Sequence, residues 1–322
     1  MSRNTAFVCL AVALSAAAAG APAQNYPNRP VRFIVAQSAG GNADLVARAI
    51  AQKLGEAFGQ QVVVDNRGGA SGIIATELTA KAPPDGYTLL LTPSSFGVNP
   101  SLYRKLPYDP IKDLAPVTLA ASAPNILVVY PPLPVRSVKD LIELARAKPR
   151  QLNFGSSGNG GSPHLAGEMF KTMAGVELTH VPYKGASAAL TALIAGEIQL
   201  NFASLPSALP LVKSGRLRAV AVTSAKRSPA VPELPTVAES GLPEFETAAW
   251  QGVFVPARTP QAIITRLNRE IARIVNSPEI RERMMAEGAE PVGNTPQEFA
   301  RYIEREIAKW ARVVKATGMR VD

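Results

Sequence analysis

The chain has 322 residues, 47% of them apolar and 6% aromatic, with 34 Lys and Arg against 25 Asp and Glu for a formal charge of +9. That apolar fraction can fill a core and excludes a disordered or collagen-like chain, and the length suits two lobes better than one small module. The single cysteine, Cys9, excludes a disulfide framework and a Cys-based zinc site. The basic surplus is mixed with acids, as in Arg266, Arg269, Glu270, Arg273, Glu279, Arg281 and Glu282. This is the pattern of a solvated helix face and not of a nucleic-acid surface.

The N-terminus reads as an address. Arg3 supplies a positive start, residues 5–19 carry no charge, and Ala21-Pro22-Ala23 fits the small-residue cleavage pattern. This predicts a signal peptide over 1–23, cleaved after Ala23, and an exported, thiol-free mature chain. The apolar stretch is too short to span a bilayer comfortably.

Beyond it, apolar runs predict strands over 31–36, 61–65, 87–92, 126–130, 152–154, 178–181, 198–202 and 217–222. Most are continuous Val/Ile/Leu segments, as in strands covered on both faces. Between them lie helical stripes. Val46, Ile50, Leu54 and Phe58 lie four apart, with Gly59 just beyond. A second helix is expected after Ser162, with Pro163 at its first position, Leu165, Met169 and Met173 inward, and Gly175 past its end. The last third carries the stripes Ile263, Leu267, Ile271, Ile274 and Phe299, Ile303, Ile307. Alternating strands and helices predict an α/β fold with mainly parallel sheets flanked by helices.

One element occurs twice. A strand runs into a Gly/Ser loop that opens a helix at Gln37-Ser38-Ala39-Gly40-Gly41-Asn42-Ala43-Asp44, and again at Ser156-Ser157-Gly158-Asn159-Gly160-Gly161-Ser162. Glycine admits close backbone approach, and a helix N-terminus offers unpaired N–H groups and partial positive charge. Two such loops across a cleft form an anion site without Arg or Lys; two independent tight turns are the other reading of the same glycines. Neither loop is a nucleotide fingerprint, since G-x-G-x-x-G and Gly-Lys-Ser/Thr are absent.

Catalytic patterns are sparse. The mature chain has two histidines, His164 and His180, and no G-x-S-x-G or HExxH. An exported serine hydrolase would need Ser156 or Ser157 within hydrogen-bond reach of one of them. Asp44 most simply stabilises its own helix end. Arg67, in a third Gly-rich loop, suits either a ligand carboxylate or an ion pair.

The runs Tyr26-Pro27-Asn28-Arg29-Pro30, Asn66-Arg67-Gly68-Gly69-Ala70, Pro84-Asp85-Gly86-Tyr87-Thr88, Leu106-Pro107-Tyr108-Asp109-Pro110, Val181-Pro182-Tyr183-Lys184-Gly185 and Pro235-Thr236-Val237-Ala238-Glu239 appear in an order that spans the mature chain. In this the sequence resembles the Bug receptors, the substrate-binding proteins of tripartite tricarboxylate transporters. The resemblance implies a two-lobed periplasmic binding protein of type II. Its first lobe would comprise 24–123 and 248–322, its second 124–247, with hinge crossings near 123–130 and 247–253.

The resemblance further implies a monomeric receptor, not an enzyme, without metal or cofactor. It would take a small carboxylate and deliver it to the membrane subunits of a tripartite transporter; a ligand-sensing orphan role is the alternative. The ligand residues carried over are Gln37, Ser38, Ala39, Gly40, Gly41, Asn42, Ala43 and Asp44 in the first loop. The second loop contributes Ser156, Ser157, Asn159, Gly160, Gly161, Ser162 and His164, and Ser94, Ala203 and Ser204 line the cleft. Gln37 stands where the family usually has Phe, Ala43 where Thr is common, Ile73 where Asn is frequent, Gly161 where Ser or Thr is common, and Ala203 where many relatives carry Asp. The absent acid favours a purely anionic or aromatic acid over an amino acid.

Overall fold

Runs of β-branched and aliphatic residues build one mixed sheet with parallel strands at its two ends and antiparallel strands between them. The computed structural model describes residues 26–39, 42–286 and 288–319. The expected signal peptide, Gly40, Gly41 and the Asn42 side chain lie outside the described residues. At one end β1 (Val31–Val35) pairs in parallel with β2 (Val62–Asn66) and β3 (Thr88–Pro93). At the other, β5 (Asn153–Ser156) pairs in parallel with β6 (Thr179–Pro182) and β7 (Leu200–Ser204).

Two strands tie these ends together. β4 (Leu114–Val129) and β9 (Ala248–Pro256) run antiparallel, from Leu114 opposite Pro256 to Pro124 opposite Ala248. Beyond that point β4 changes partners: Asn125 to Val129 face β7, and Ile126 to Val129 face β8 (Arg218–Val222). On its other edge β9 meets β3, with Gln251 opposite Pro93. A short β10 (Glu290–Pro291) pairs with Ala121 and Ser122. The expectation of mainly parallel sheets therefore holds for the outer strands, and the centre corrects it.

The helices follow their local signals closely. α1 (Asn42–Phe58) buries Val46, Ile50 and Leu54, and Gly59 follows with φ 64°. α2 (Ile73–Ala80) and α3 (Ser95–Leu102) flank β3 on either side in sequence. α4 (Val138–Ala147) is closed by a reciprocal capping box of Ser137 and Asp140. α5 (Ser162–Ala174) ends on Gly175 in the left-handed conformation, as its sequence requires, but its N-cap is Gly161 rather than Ser162. The reason is that the Ser162 hydroxyl turns inward and donates to Asn125 Oδ1 at 2.5 Å. α6 (Ala186–Ala195) and α7 (Leu205–Lys213) follow β6 and β7. α8 (Gln261–Val275) buries Ile263, Leu267, Ile271 and Ile274. α9 (Pro278–Ala286) precedes α10 (Pro296–Thr317), which starts in a capping box of Thr295 and Glu298.

The core divides as the sheet does. One cluster packs α1 and α8 against β1 and β3 through residues such as Phe33, Ile50 and Leu267. Another packs α5 against β5 and β7 through Phe154, Phe170 and Phe202. A small third cluster, Val98, Leu102, Leu165, Trp310 and Val314, joins α3, α5 and α10.

Glu306, 6% exposed, sits at the centre of this junction. Its Oε2 accepts from the indole N–H of Trp250 on β9 at 3.2 Å and from that of Trp310 at 3.0 Å. Its Oε1 contacts Lys309 Nζ. Both indoles are buried, at 0% and 2% exposure, so truncation orphans two donors, each costing about 1–3 kcal/mol. Glu306→Ala is expected to lower unfolding free energy by on the order of 2–4 kcal/mol, and Glu306→Gln by less because an acceptor remains. Urea denaturation followed by tryptophan fluorescence checks both.

Candidate functional site

Helix starts converge on one cavity of about 740 Å³. Its lining includes Ala249, Trp250 and Gln251 of β9 and Pro93 at the end of β3. Ser94 and Ser95 bring the start of α3 to the wall, Gly161, Ser162 and Pro163 that of α5, Gly185, Ala186 and Ser187 that of α6, and Ser204 that of α7. Residues 37–39, which lead toward α1, complete it. The position follows from the topology: each of these helices leaves the carboxyl end of a strand, the edge at which open α/β sheets bind ligands.

The four helix starts share a property that α4 and α10 lack. Ser94, Gly161, Gly185 and Ser204 occupy their N-cap positions, and none makes a side-chain cap. An uncapped start leaves first-turn N–H groups without a partner and a partial positive charge at its mouth. Several such mouths around one space make it a receiver of anions.

Side chains reinforce this. Lys184 is the only ionisable residue lining the cavity among the described residues. Gln251 and Asn201, 5% and 2% exposed, present carboxamides to which no described residue offers a hydrogen bond, and Asn201 Oδ1 is fully enclosed. A buried carboxamide without a partner is costly unless something bound in the cavity supplies one.

Of the residues expected to touch ligand, Gln37, Ser38, Ala39, Ser94, Ser157, Gly161, Ser162, Ala203 and Ser204 line this cavity. Ala43 and Asp44 lie behind the wall. Gln37 Oε1 accepts from Ala43 N–H at 2.9 Å, and Asp44, 3% exposed, accepts from Asn66 Nδ2 at 3.0 Å and pairs with Arg48 at 3.0 Å. Asn66 also donates to the Gln37 carbonyl at 3.1 Å, so Asp44 braces the loop from beneath. Arg67 pairs with Asp65 at 2.9 Å, the ion-pair alternative. Ser156, Asn159, Gly160 and His164 are also off the lining. Gly160, at φ 73°, packs so close that a Cβ would come within 2.8 Å of Leu102 Cδ1.

The sequence did not single out Lys184, Ser187, Asn201 or Gln251. For Lys184 and Ser187 the signal was present: Gly185 precedes an alanine-rich helix that has no Ser, Thr, Asn or Asp at its N-cap. Asn201 and Gln251 lie inside strands, where only pairing and burial show which face a side chain takes.

A serine hydrolase would need an activated, accessible hydroxyl. Ser156 Oγ lies 2.7 Å from His180 Nε2, so the distance criterion is met. The rest is not. Ser156 is 0% exposed, and its hydroxyl also exchanges hydrogen bonds with Gly158 O at 3.0 Å and Gly158 N at 3.1 Å. His180 stacks on His164 with centroids 3.9 Å apart, and His164 Nδ1 accepts from Gly160 N–H at 3.0 Å. Burial, then the Lys171 charge, lowers His164 from 6.5 to about 4. Burial, then His164 and Lys171, lowers His180 to about 3. A base so weak against a sealed hydroxyl holds the second loop in shape and does not activate a nucleophile.

The chain is similar to known proteins over nearly its whole length. A family model described as tripartite tricarboxylate transporter family receptor, TctC, matches residues 46–319. The chain belongs to the TctC family. It is 39% identical to Protein BugT of Bordetella pertussis over 323 residues, covering 100% of this chain and 99% of that protein. Among solved structures, R. palustris Rpa4515 with adipate is 44% identical with a TM-score of 0.83, over 92% of this chain and 99% of that one. MatC from Rhodopseudomonas palustris with bound malate is 31% identical with a TM-score of 0.79, over 90% of this chain and 99% of that one. The fold is that of a two-lobed periplasmic binding protein, and the TctC family is one of solute-binding receptors.

The stacked histidines make stability pH-dependent. Their folded values lie below the unfolded value of 6.5, so the unfolded chain binds more protons as pH falls through that range. Their stabilisation is complete above about 6.5 and is lost progressively toward about 4 and 3. Calorimetry between pH 7 and 5, above most carboxylate titration, is expected to show a falling Tm, with a shallower slope in His180→Gln.

Proposed function

We propose that this TctC receptor is exported by cleavage after Ala23 and captures a small carboxylate by closing two lobes on it. As a monomer it hands the ligand to the membrane subunits of a tripartite transporter. The observation that carries this is the set of four uncapped helix starts, at Ser94, Gly161, Gly185 and Ser204, around one cavity. The lobes would comprise 24–123 with 248–322, and 124–247. The hinge would lie where β4 changes partner between Pro124 and Asn125, beside Ala248 of β9.

The energetics are sufficient. Charge-assisted hydrogen bonds contribute about 1.5–3 kcal/mol each. Micromolar affinity requires about 8 kcal/mol. Several first-turn N–H groups with the Ser94, Ser157 and Ser204 hydroxyls exceed that before ordering costs. The relatives solved with adipate and malate make aliphatic dicarboxylates the first ligands to test. Contact with both lobes at once is what would favour the closed state.

Ser204→Asp tests the reading without removing a structural contact, because Asp is an equally good N-cap for α7. Its carboxylate would occupy the helix mouth and repel an incoming acid. Titration calorimetry with adipate is expected to show at least about a tenfold loss of affinity with Tm unchanged or raised. Undiminished affinity would mean that acids do not bind at this cavity.

A further inference from the structure

We infer that Lys184, at the start of α6, is a specificity-determining residue that reads a second anionic group on the ligand, so that the cavity prefers dianionic to monoanionic acids of equal length. This rests on the proposal that the cavity takes carboxylates.

The sheet order separates two chemically different parts of the lining. Beside β1, β3 and β9, residues 37–39, Ser94 and Gln251 offer amides and hydroxyls and no formal charge. Around α6 it adds an ammonium. Lys184 makes no ion pair among the described residues, whereas Lys171 pairs with Glu168 at 2.8 Å and Arg150 with Glu177 at 2.6 Å. Its four-carbon stem lets the charge follow ligands of different length.

The turn carrying Lys184 is anchored. Tyr183 N–H donates to Ser156 O at 3.0 Å, tying it to β5, and Gly185 N–H donates to Tyr183 O at 3.0 Å. Gly185 has φ 106°, which turns the chain directly into α6. Ala189 is the first residue of that helix whose N–H reaches back to Gly185 O, at 3.3 Å. The N–H groups of Ala186, Ser187 and Ala188 precede it and have no intrahelical acceptor.

Asn201 is an independent feature of this part of the cavity. It faces Gly155 in the β5–β7 register. Its Nδ2 lies 3.4 Å, and the Tyr183 ring 3.6 Å, from the place a Gly155 Cβ would occupy, so it borders the Lys184 turn. It is 2% exposed, lines the cavity and has no side-chain partner among the described residues. Its enclosed Oδ1 is an acceptor and offers an anion nothing; the group that can donate to a carboxylate is Nδ2, which makes no hydrogen bond to a described residue. An ammonium, three free helix amides and an unused carboxamide N–H together form a receiver for negative charge that a monocarboxylic acid held by the other part of the lining would leave empty.

The test compares adipate with hexanoate, which has the same carbon count and one carboxylate fewer, by titration calorimetry on the full mature chain. The wild type is expected to favour adipate by about tenfold or more, since an exposed ammonium is partly screened. Lys184→Gln should reduce adipate binding to near the hexanoate level and leave hexanoate within about twofold, whereas Lys184→Arg should retain the preference. Lys184 is exposed, so folding is not at risk, and Tm of each variant confirms it. A full adipate preference in Lys184→Gln, or an equal loss for both acids, would overturn the inference while leaving the carboxylate reading standing. No binding of either acid to the wild type would overturn both.

Discussion

Every helix begins with N–H groups that its own backbone cannot satisfy, and the way this chain distributes that debt organises the molecule. α4 and α10, whose starts lie off the cavity, close it with reciprocal capping boxes. α2 and α8 start off the cavity without a side-chain cap, and the four helices whose starts meet in the cavity also leave it open. The donors that would be a defect in isolation become a field of positive partial charge when they face one space. The same logic explains why the cavity needs so few charged side chains: the positive end is made of backbone, and Lys184 is an addition at one side.

Holding helices from both halves of the sheet around one space requires a connection that fixes position without filling the space. β4 and β9 provide it. Their pairing runs to Pro124 opposite Ala248, and the next residue of β4 already belongs to the other half. Trp250 and Gln251 on β9 line the cavity, and the indole of Trp250 is held from behind by Glu306. The carboxylate that holds Trp250 also holds Trp310, whose neighbours Leu102 and Leu165 lie on α3 and α5. The wall of the cavity and the packing of two helices that open onto it thus share one buried acid.

Much of this was legible in local patterns. The stripe Val46, Ile50, Leu54 and the glycines at 59 and 175 placed two helices to within a residue or two at most, because helix periodicity and left-handed end glycines are local properties. Eight strands were visible as aliphatic runs. The first part of β4 was not, since Pro116, Pro124 and several alanines have poor strand propensity and only pairing with β9 holds them extended. The Gly/Ser loops pointed to the cavity, yet Asp44, Ser156 and His164 proved to stand behind its wall, because a one-dimensional pattern marks a loop without marking which of its side chains turn inward.

By itself the sequence determined α1, α5 and the helical stripes of the last third, the outer parallel strands, the Gly-rich helix starts and, through motifs in a fixed order, the family. Those are properties of neighbouring residues or of an ordered string. Tertiary structure alone decided that four helix starts share one cavity, that Asn201 and Gln251 turn unpartnered carboxamides toward it, that Lys184 is its one lining charge among the described residues, and that Ser156 and His180 meet in a sealed place. Each depends on which face of a strand packs inward and where β4 exchanges partners, and those are settled by pairings between residues far apart in the chain.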